Sequence, residues 1–260
     1  MIELMKKTAV WAMLLGFAAT APLSADVGSM SVSPSEVMLR GNVGQTTTQT
    51  LSFTNKTSRA LAFEMMAQDA VVHEGVRSYV EAGTIPASIA ATAVFSPKVF
   101  TAAPGESVNI QVTVTIPPNT VVRAIAVMCQ GTTKLGVKPL QMTASVGTLF
   151  TFALGGDVIA ATASPLLIQT PTASSSLVAG QEVANNGTEP VVATGMLVIL
   201  DESGAMIGRQ AIPGWRMLPG EKTPVRVVYD GRLAAGHYRA MVTYDLTDKT
   251  LTSVAGFDVN

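Results

Sequence analysis

The chain has 260 residues, 48% of them hydrophobic and 13% charged; so small a charged share, about half the usual one, excludes a disordered chain. Its 17 basic and 18 acidic residues leave a net charge of −1, which argues against holding nucleic acid or an anionic membrane by field alone. The length suits two domains, and the lone Cys129 rules out an intrachain disulfide.

The first 25 residues have the order of a cleaved secretory signal. Lys6 and Lys7 give a positive start, Val10 to Ala19 an apolar run, and Leu23-Ser24-Ala25 a small-residue cleavage site before Asp26. The run is short for a membrane span of about 20 residues, and its helix would run straight into Pro22. The mature protein is therefore expected in an exported compartment, the periplasm first, with the cell surface or medium as alternatives. No later segment is apolar for long enough to cross a bilayer as a helix.

From Asp26 onward the grammar is that of strands and turns. Two short extended pieces flank Pro34, and Thr46 to Asn55 alternates through Leu51 and Phe53 before a turn residue. Leu61 to Val72 alternates through Leu61, Phe63 and Met65; its Ala, Met and Glu also suit a helix, but the neighbouring strands favour β. Gly75, Gly83 and Pro86 mark a long connection, read without a strand of its own. The segment Val94 to Pro118 opens on Phe95-Ser96-Pro97, turns at Pro104-Gly105, and then alternates Val108, Ile110, Val112, Val114 and Ile116 against polar residues. That period of two marks a half-buried strand, which Pro117 and Pro118 end.

Two more strands are expected around a loop from Gly131 to Pro139. The second is long, with Met142, Ala144, Val146, Thr148, Phe150 and Phe152 on one parity, and Gly155-Gly156 then gives a domain boundary. Asp157 to Asn260 repeats the pattern: a strand at Thr194 to Leu200, a turn Asp201 to Gly204, and a strand through Val225, Val227 and Tyr229. The halves share a device, Ala-Pro-Gly-Glu at 103–106 and Leu-Pro-Gly-Glu at 218–221. The fold expected is all-β, two immunoglobulin-like β-sandwich domains in tandem after a cleaved signal peptide: 1–25 signal, 26–156 first sandwich, 157–260 second.

Chemistry-bearing residues are few. His73 and His237 fall in different domains and carry no nucleophile or metal motif. Tyr238 suits a corner tyrosine that bonds back to the backbone. Asp201 with Glu202, and Asp245 with Asp248, sit where turns favour acids for backbone reasons. Cys129 lies in an apolar run that suits a buried, inert thiol. Asn55-Lys56-Thr57 and Asn186-Gly187-Thr188 match the glycosylation triplet, which matters only in a eukaryotic source. The only Trp beyond the signal is Trp215, so there is no stacking platform for sugars or single strands. The expectation is a non-enzyme with no cofactor and no metal.

The order of features resembles the periplasmic pilus-chaperone (PapD-like) superfamily. The residues that carry the likeness are the extended pieces around Pro34, Thr54-Asn55, Phe95-Ser96-Pro97 with Phe100, and Pro104-Gly105. The resemblance implies a two-domain chaperone that binds another secreted or surface polypeptide, a pilus or surface subunit, by adding a β-strand to it. It makes Met142 to Leu154 the donor strand, with Met142, Ala144, Val146, Thr148, Phe150 and Phe152 as its partner-binding side chains. The plainer alternative is that this parity faces the protein's own core. Family members also clamp a partner's terminal carboxylate between an Arg in the first strand and a Lys before the donor strand. Lys138 matches the second position; Glu36 stands at the first, and Arg40 lies four residues on. A cell-envelope scaffolding or adhesive protein of the same fold is similar too, through a segment like Gly75 to Tyr79. In that reading the partner is held statically.

Overall fold

The computed structural model describes residues 29–135, 140–155, 160–172, 174–246 and 249–260. The signal segment, Lys138, Asp248 and the boundary at Gly156 lie outside them.

The first domain is built from β1 (Ser29–Ser33), β2 (Glu36–Arg40), β3 (Thr46–Lys56), β4 (Leu61–His73), β5 (Val76–Glu81), β6 (Val94–Ser96), β7 (Val99–Ala102), β8 (Ser107–Thr115), β9 (Ala124–Leu135) and β10 (Leu140–Ala153). One sheet runs β1-β3-β8-β6, and the other β2-β10-β9-β4-β5, with β7 also on β4. The chain crosses between sheets at Pro34 and Ser35: β1 pairs antiparallel with β3, whereas β2 pairs parallel with β10. Alternation in β3, β4 and β8 sends Leu51, Phe53, Phe63, Met65, Ile110 and Val112 into one core between the sheets. Phe63 and Phe100 stack there at 5.2 Å. Cys129 is buried in the same core, and burial pushes its thiol up to about 12.

The connection between β4 and β6 holds more order than its composition suggests. Val76–Glu81 pairs with β4 as a hairpin strand, although Arg77, Ser78 and Glu81 blur its alternation. The rest of the loop is tied to buried Asp69 of β4. Its carboxylate accepts hydrogen bonds from Ser88 Oγ (2.5 Å) and Ala90 N (2.9 Å). Ser88 Oγ in turn accepts from Gly83 N and Ala91 N. A buried carboxylate with these partners closes the loop without regular structure.

The second domain is built from β11 (Ala161–Ala163), β12 (Leu167–Gln169), β13 (Leu177–Asn185), β14 (Val191–Asp201), β15 (Met206–Met217), β16 (Lys222–Tyr229), β17 (Gly236–Leu246) and β18 (Lys249–Val259). In one sheet β13 pairs with β11, β12 and β16; the other runs β15-β14-β17-β18. Leu177, Ala179, Leu197, Ile199, Val242 and Tyr244 meet in a separate core. Tyr238 Oη donates to Ala234 O at 2.9 Å, the corner bond that the sequence suggested. The fold is thus nearly all β, in two sandwiches.

The shared Pro-Gly-Glu device forms the same corner twice. Gly105 and Gly220 turn at φ of +76° and +78°, a region that costs any side chain with a Cβ. Their N–H groups donate to Asn55 O and Asn185 O, and Asn55 N and Asn185 N donate to Glu106 O and Glu221 O. The carboxylates of Glu106 and Glu221 accept from Ala103 N and Leu218 N. Each Asn amide, itself buried, donates to two backbone carbonyls, at Arg59 and Ala102 for Asn55 and at Glu189 and Met217 for Asn185. Asparagine fits because only an amide donates twice and accepts on the same short stem.

Candidate functional site: the two halves of β10

β10 pairs with β9 over all but its last two residues, from Leu140 opposite Leu135 to Thr151 opposite Ala124. On its other edge β2 covers only Leu149 to Ala153, opposite Glu36 to Arg40. The cover begins where Leu149 N donates to Ser35 O and Thr148 Oγ1 to Pro34 O. Leu140 to Gly147 has no strand on that edge among the described residues. Its outward N–H and C=O groups are the kind of template on which another chain can pair.

The two halves also differ in what their faces meet. Phe150 and Phe152, at 0% exposure, belong to the first core. Thr148 is buried as well, and Val146 is half-buried against the core. The apolar parity of the C-terminal half therefore faces its own domain, and those side chains are committed there. Ser145, on the opposite face, is exposed. Gly147 is a close approach: a Cβ there would lie 2.9 Å from Val127 O. The backbone of Met142 and Ala144 lies in the unpaired half, and their side chains lie outside the described residues.

The outer face of the C-terminal half meets the second domain. Leu149 packs with Ala70, Ala124 and Val72 of the first domain and Leu218 of the second. Arg216 Nη1 donates to Thr151 Oγ1 at 3.0 Å, and its Nη2 lies 3.5 Å from Glu36 Oε2. Glu36, at the position where the resemblance would put a basic residue, thus answers a guanidinium from the second domain. Arg40 is exposed. Beyond the strand, Leu154 N donates to both carboxylate oxygens of Glu189 at 3.1 Å.

A second contact between the domains runs through the β4–β5 hairpin. Arg77 Nη2 donates to Glu221 Oε2 at 2.7 Å and to Arg216 O at 3.0 Å, and Lys222 N donates to Gly75 O at 2.9 Å. Burial alone would lower the pKa of Arg77, but the hydrogen bond and charge of Glu221, with a smaller contribution from Tyr79, outweigh it and raise it. None of Arg77, Glu221 or Arg216 stood out in the sequence as a contact between domains. The repeated Pro-Gly-Glu was the one signal available, and it pointed to a turn.

The other candidate residues are placed as follows. His73 is exposed at the end of β4. His237 Nδ1 lies 2.5 Å from Asp258 Oδ1 in the open, and the hydrogen bond and charge of Asp258 raise its pKa. Asp201 accepts from Ser203 Oγ (2.6 Å) and Ala205 N (2.9 Å), and these bonds, Ser203 first, lower its pKa in an ordinary turn. Asp245 accepts from Thr250 Oγ1. Asn55 is buried in its corner, and Asn186 is exposed with its amide on Thr162 Oγ1. Among the described residues no three His, Cys, Asp or Glu side chains gather as metal ligands would, and no helix is long and apolar enough to cross a membrane.

No protein-family model and no curated protein sequence matches this chain. Among solved structures, the chain is similar over most of its length to fimbrial chaperones. The class 5 fimbriae chaperone CfaA shares 12% identity, with 89% of this chain and 100% of that one covered at a TM-score of 0.46. The chaperone YadV shares 12% identity over 88% and 99% at a TM-score of 0.41. The Escherichia coli chaperone DraB shares 13% over 90% and 98% at a TM-score of 0.38. The likeness concerns the course of the chain, and the half-covered edge of β10 belongs to this protein's own pairing.

Proposed function

We infer that this chain is an exported, non-enzymatic protein that binds another polypeptide by strand addition along Leu140 to Gly147, as a periplasmic chaperone assisting assembly of pilus or surface subunits. The single observation that carries the reading is the division of β10. One half is covered by β2, by its own core and by the second domain; the other half is paired with β9 and, among the described residues, has no strand on its outer edge. Main-chain bonds along such an edge supply affinity, and alternate side chains supply selectivity. Thr148, Phe150 and Phe152 are buried in their own domain and Val146 packs against its core, so of the six alternate residues Met142 and Ala144 are the ones this reading assigns to the partner. The partner is a secreted or surface polypeptide, and neither a cofactor nor a nucleic acid enters the mechanism. Lys138, just before the strand, is the residue for a terminal carboxylate in this reading.

A photo-crosslinking residue at exposed Ser145, compared with one at Ser203 in the second domain, tests the reading in the protein's own host. The expected result is an adduct at position 145 with one other exported polypeptide and none with it at position 203. Equal adducts at both positions, or none at 145, would overturn it. In that case the alternative stands, a cell-envelope scaffolding or adhesive protein that holds its partner elsewhere.

A further inference from the structure

The strand that closes the C-terminal half of the β10 edge is itself lightly held. β2 has five residues, lies at the margin of its sheet and pairs parallel with β10, the less stable of the two pairings per residue. Of its side chains Val37 and Leu39 turn inward, and both are only partly buried against the first core. On the outer face Arg216 reaches across from the second domain. Its Nη1 donates to Thr151 Oγ1 of β10 at 3.0 Å, and its Nη2 lies 3.5 Å from Glu36 Oε2 of β2. One guanidinium thus touches both strands of the pair. The Arg216 side chain is 9% exposed, and its backbone is fixed near the end of β15, where its carbonyl accepts from Arg77 Nη2 at 3.0 Å. Leu218, two residues on, packs beside Leu149 on the same face.

We propose that Arg216 is a positioning residue for the strand-addition edge: from the second domain it holds β2 on β10 and so fixes where the open edge ends. The inference rests on the reading of Leu140 to Gly147 as the edge that takes a partner's strand. Backbone direction makes it specific. Leu149 N donates to Ser35 O and Ala153 O accepts from Gly41 N, whereas Phe152 N donates to Arg123 O on the β9 side. The odd-numbered residues of β10 therefore direct N–H and C=O at the outer edge, and the even-numbered ones at β9. With β2 in place, the outward groups that face no strand among the described residues are those of Gln141, Thr143, Ser145 and Gly147. With β2 released, Leu149, Thr151 and Ala153 extend the same row. The second domain thus limits the length of strand that a partner can add. Coupling of this kind is reciprocal, so a partner that takes the longer edge draws Glu36 away from Arg216 and loosens the joint.

Residue-resolved amide exchange on Arg216→Gln, in the mature protein without a partner, tests the proposal. The expected result is exchange about tenfold faster at Leu149, Thr151 and Ala153. Phe150 and Phe152 stay as in the wild type, because β9 still holds them. Arg216→Lys, which keeps a cation at the joint, restores part of the protection. Glu36→Gln changes an exposed side chain and leaves the fold intact; it shifts the same three amides in the same direction by a smaller factor. Added to Arg216→Gln it brings no further change, since both act through one contact. Unchanged rates at the three outward amides in both single variants overturn the proposal. So does acceleration spread equally over outward and inward amides, which would make Arg216 a support of the whole domain. The measurement needs no partner: if the crosslink at Ser145 fails, strand addition falls, and whether Arg216 holds β2 is still decided by these rates.

Discussion

The two Pro-Gly-Glu corners are made of the same parts and serve different ends. Both hold a buried Asn, a glycine at positive φ and a carboxylate folded back on a backbone N–H. Around Pro104 the corner is exposed and only turns the chain from β7 into β8. Around Pro219 the same corner is pressed against the first domain. Glu221 adds Arg77 to its duties, Leu218 packs with Ala70 and Ala124, and Lys222 N reaches Gly75 O. The difference teaches that a domain joint can be made from a turn that was stable already, by adding one cation and one apolar contact from outside.

The largest expected effect is one on which the corners agree. Asn55→Ala and Asn185→Ala each strand buried backbone groups that the amide had satisfied. Asn55 donates at 2.7 and 2.9 Å and accepts from Thr57 N at 3.0 Å. Asn185 donates at 2.9 and 3.3 Å and accepts from Gly187 N at 3.0 Å. Each change is expected to cost about 2–4 kcal/mol in denaturant unfolding. A near-neutral effect at either site would break the equivalence of the corners.

The next effect separates them. Glu221→Gln keeps the shape of the corner but leaves the Arg77 guanidinium without its countercharge, in a pair whose side chains are only 18% and 14% exposed. It is expected to cost about 1–2 kcal/mol and to broaden the spread of domain orientations seen by small-angle scattering. Glu106→Gln, which removes no ion pair from its corner, is expected to cost about 0.5 kcal/mol or less. Equal costs would mean that the joint draws nothing from the second corner.

The smallest effect lies away from both corners. The hydrogen bond and charge of Asp258, with a lesser contribution from Glu202, hold the His237 pKa above its ordinary 6.5. A raised folded-state pKa means that the contribution is fully present below pH 6.5 and is lost as pH rises through the higher folded value. The group is fully exposed, so the change in melting temperature is expected to be slight. Asp258→Asn should remove it, and an imidazole titration by NMR gives the direction of the shift independently.

The strands were legible where alternation was clean. Leu51 and Phe53, Val108 to Ile116, and Val225 to Tyr229 all read correctly, because a half-buried strand writes its period into the chain. β5 was missed because Arg77, which serves the joint, and Glu81 at its end blur that period. The hairpin strand β9 was expected to end at Gly131 and runs on to Leu135, since cross-strand pairing with β10 extends through the threonines and needs no apolar pattern. The apolar parity of β10 was plain in the sequence, but not its division. Coverage by β2 depends on where the chain crosses between sheets, and contacts at such distance leave no local mark. Arg77 and Arg216 were silent for the same reason: an isolated cation does not announce which distant carboxylate it meets.

The central claim is that β10 is covered along one half of its outer edge and open along the other. Amide hydrogen exchange resolved residue by residue over Leu140 to Ala153 of the mature protein tests it most directly. The account predicts alternation in Leu140 to Gly147, slow where the N–H is directed at β9 and fast where it is directed outward, and uniformly slow exchange from Leu149 to Ala153. Slow exchange throughout, at the level of the core strand β4, would contradict it and leave no open edge for a partner's strand.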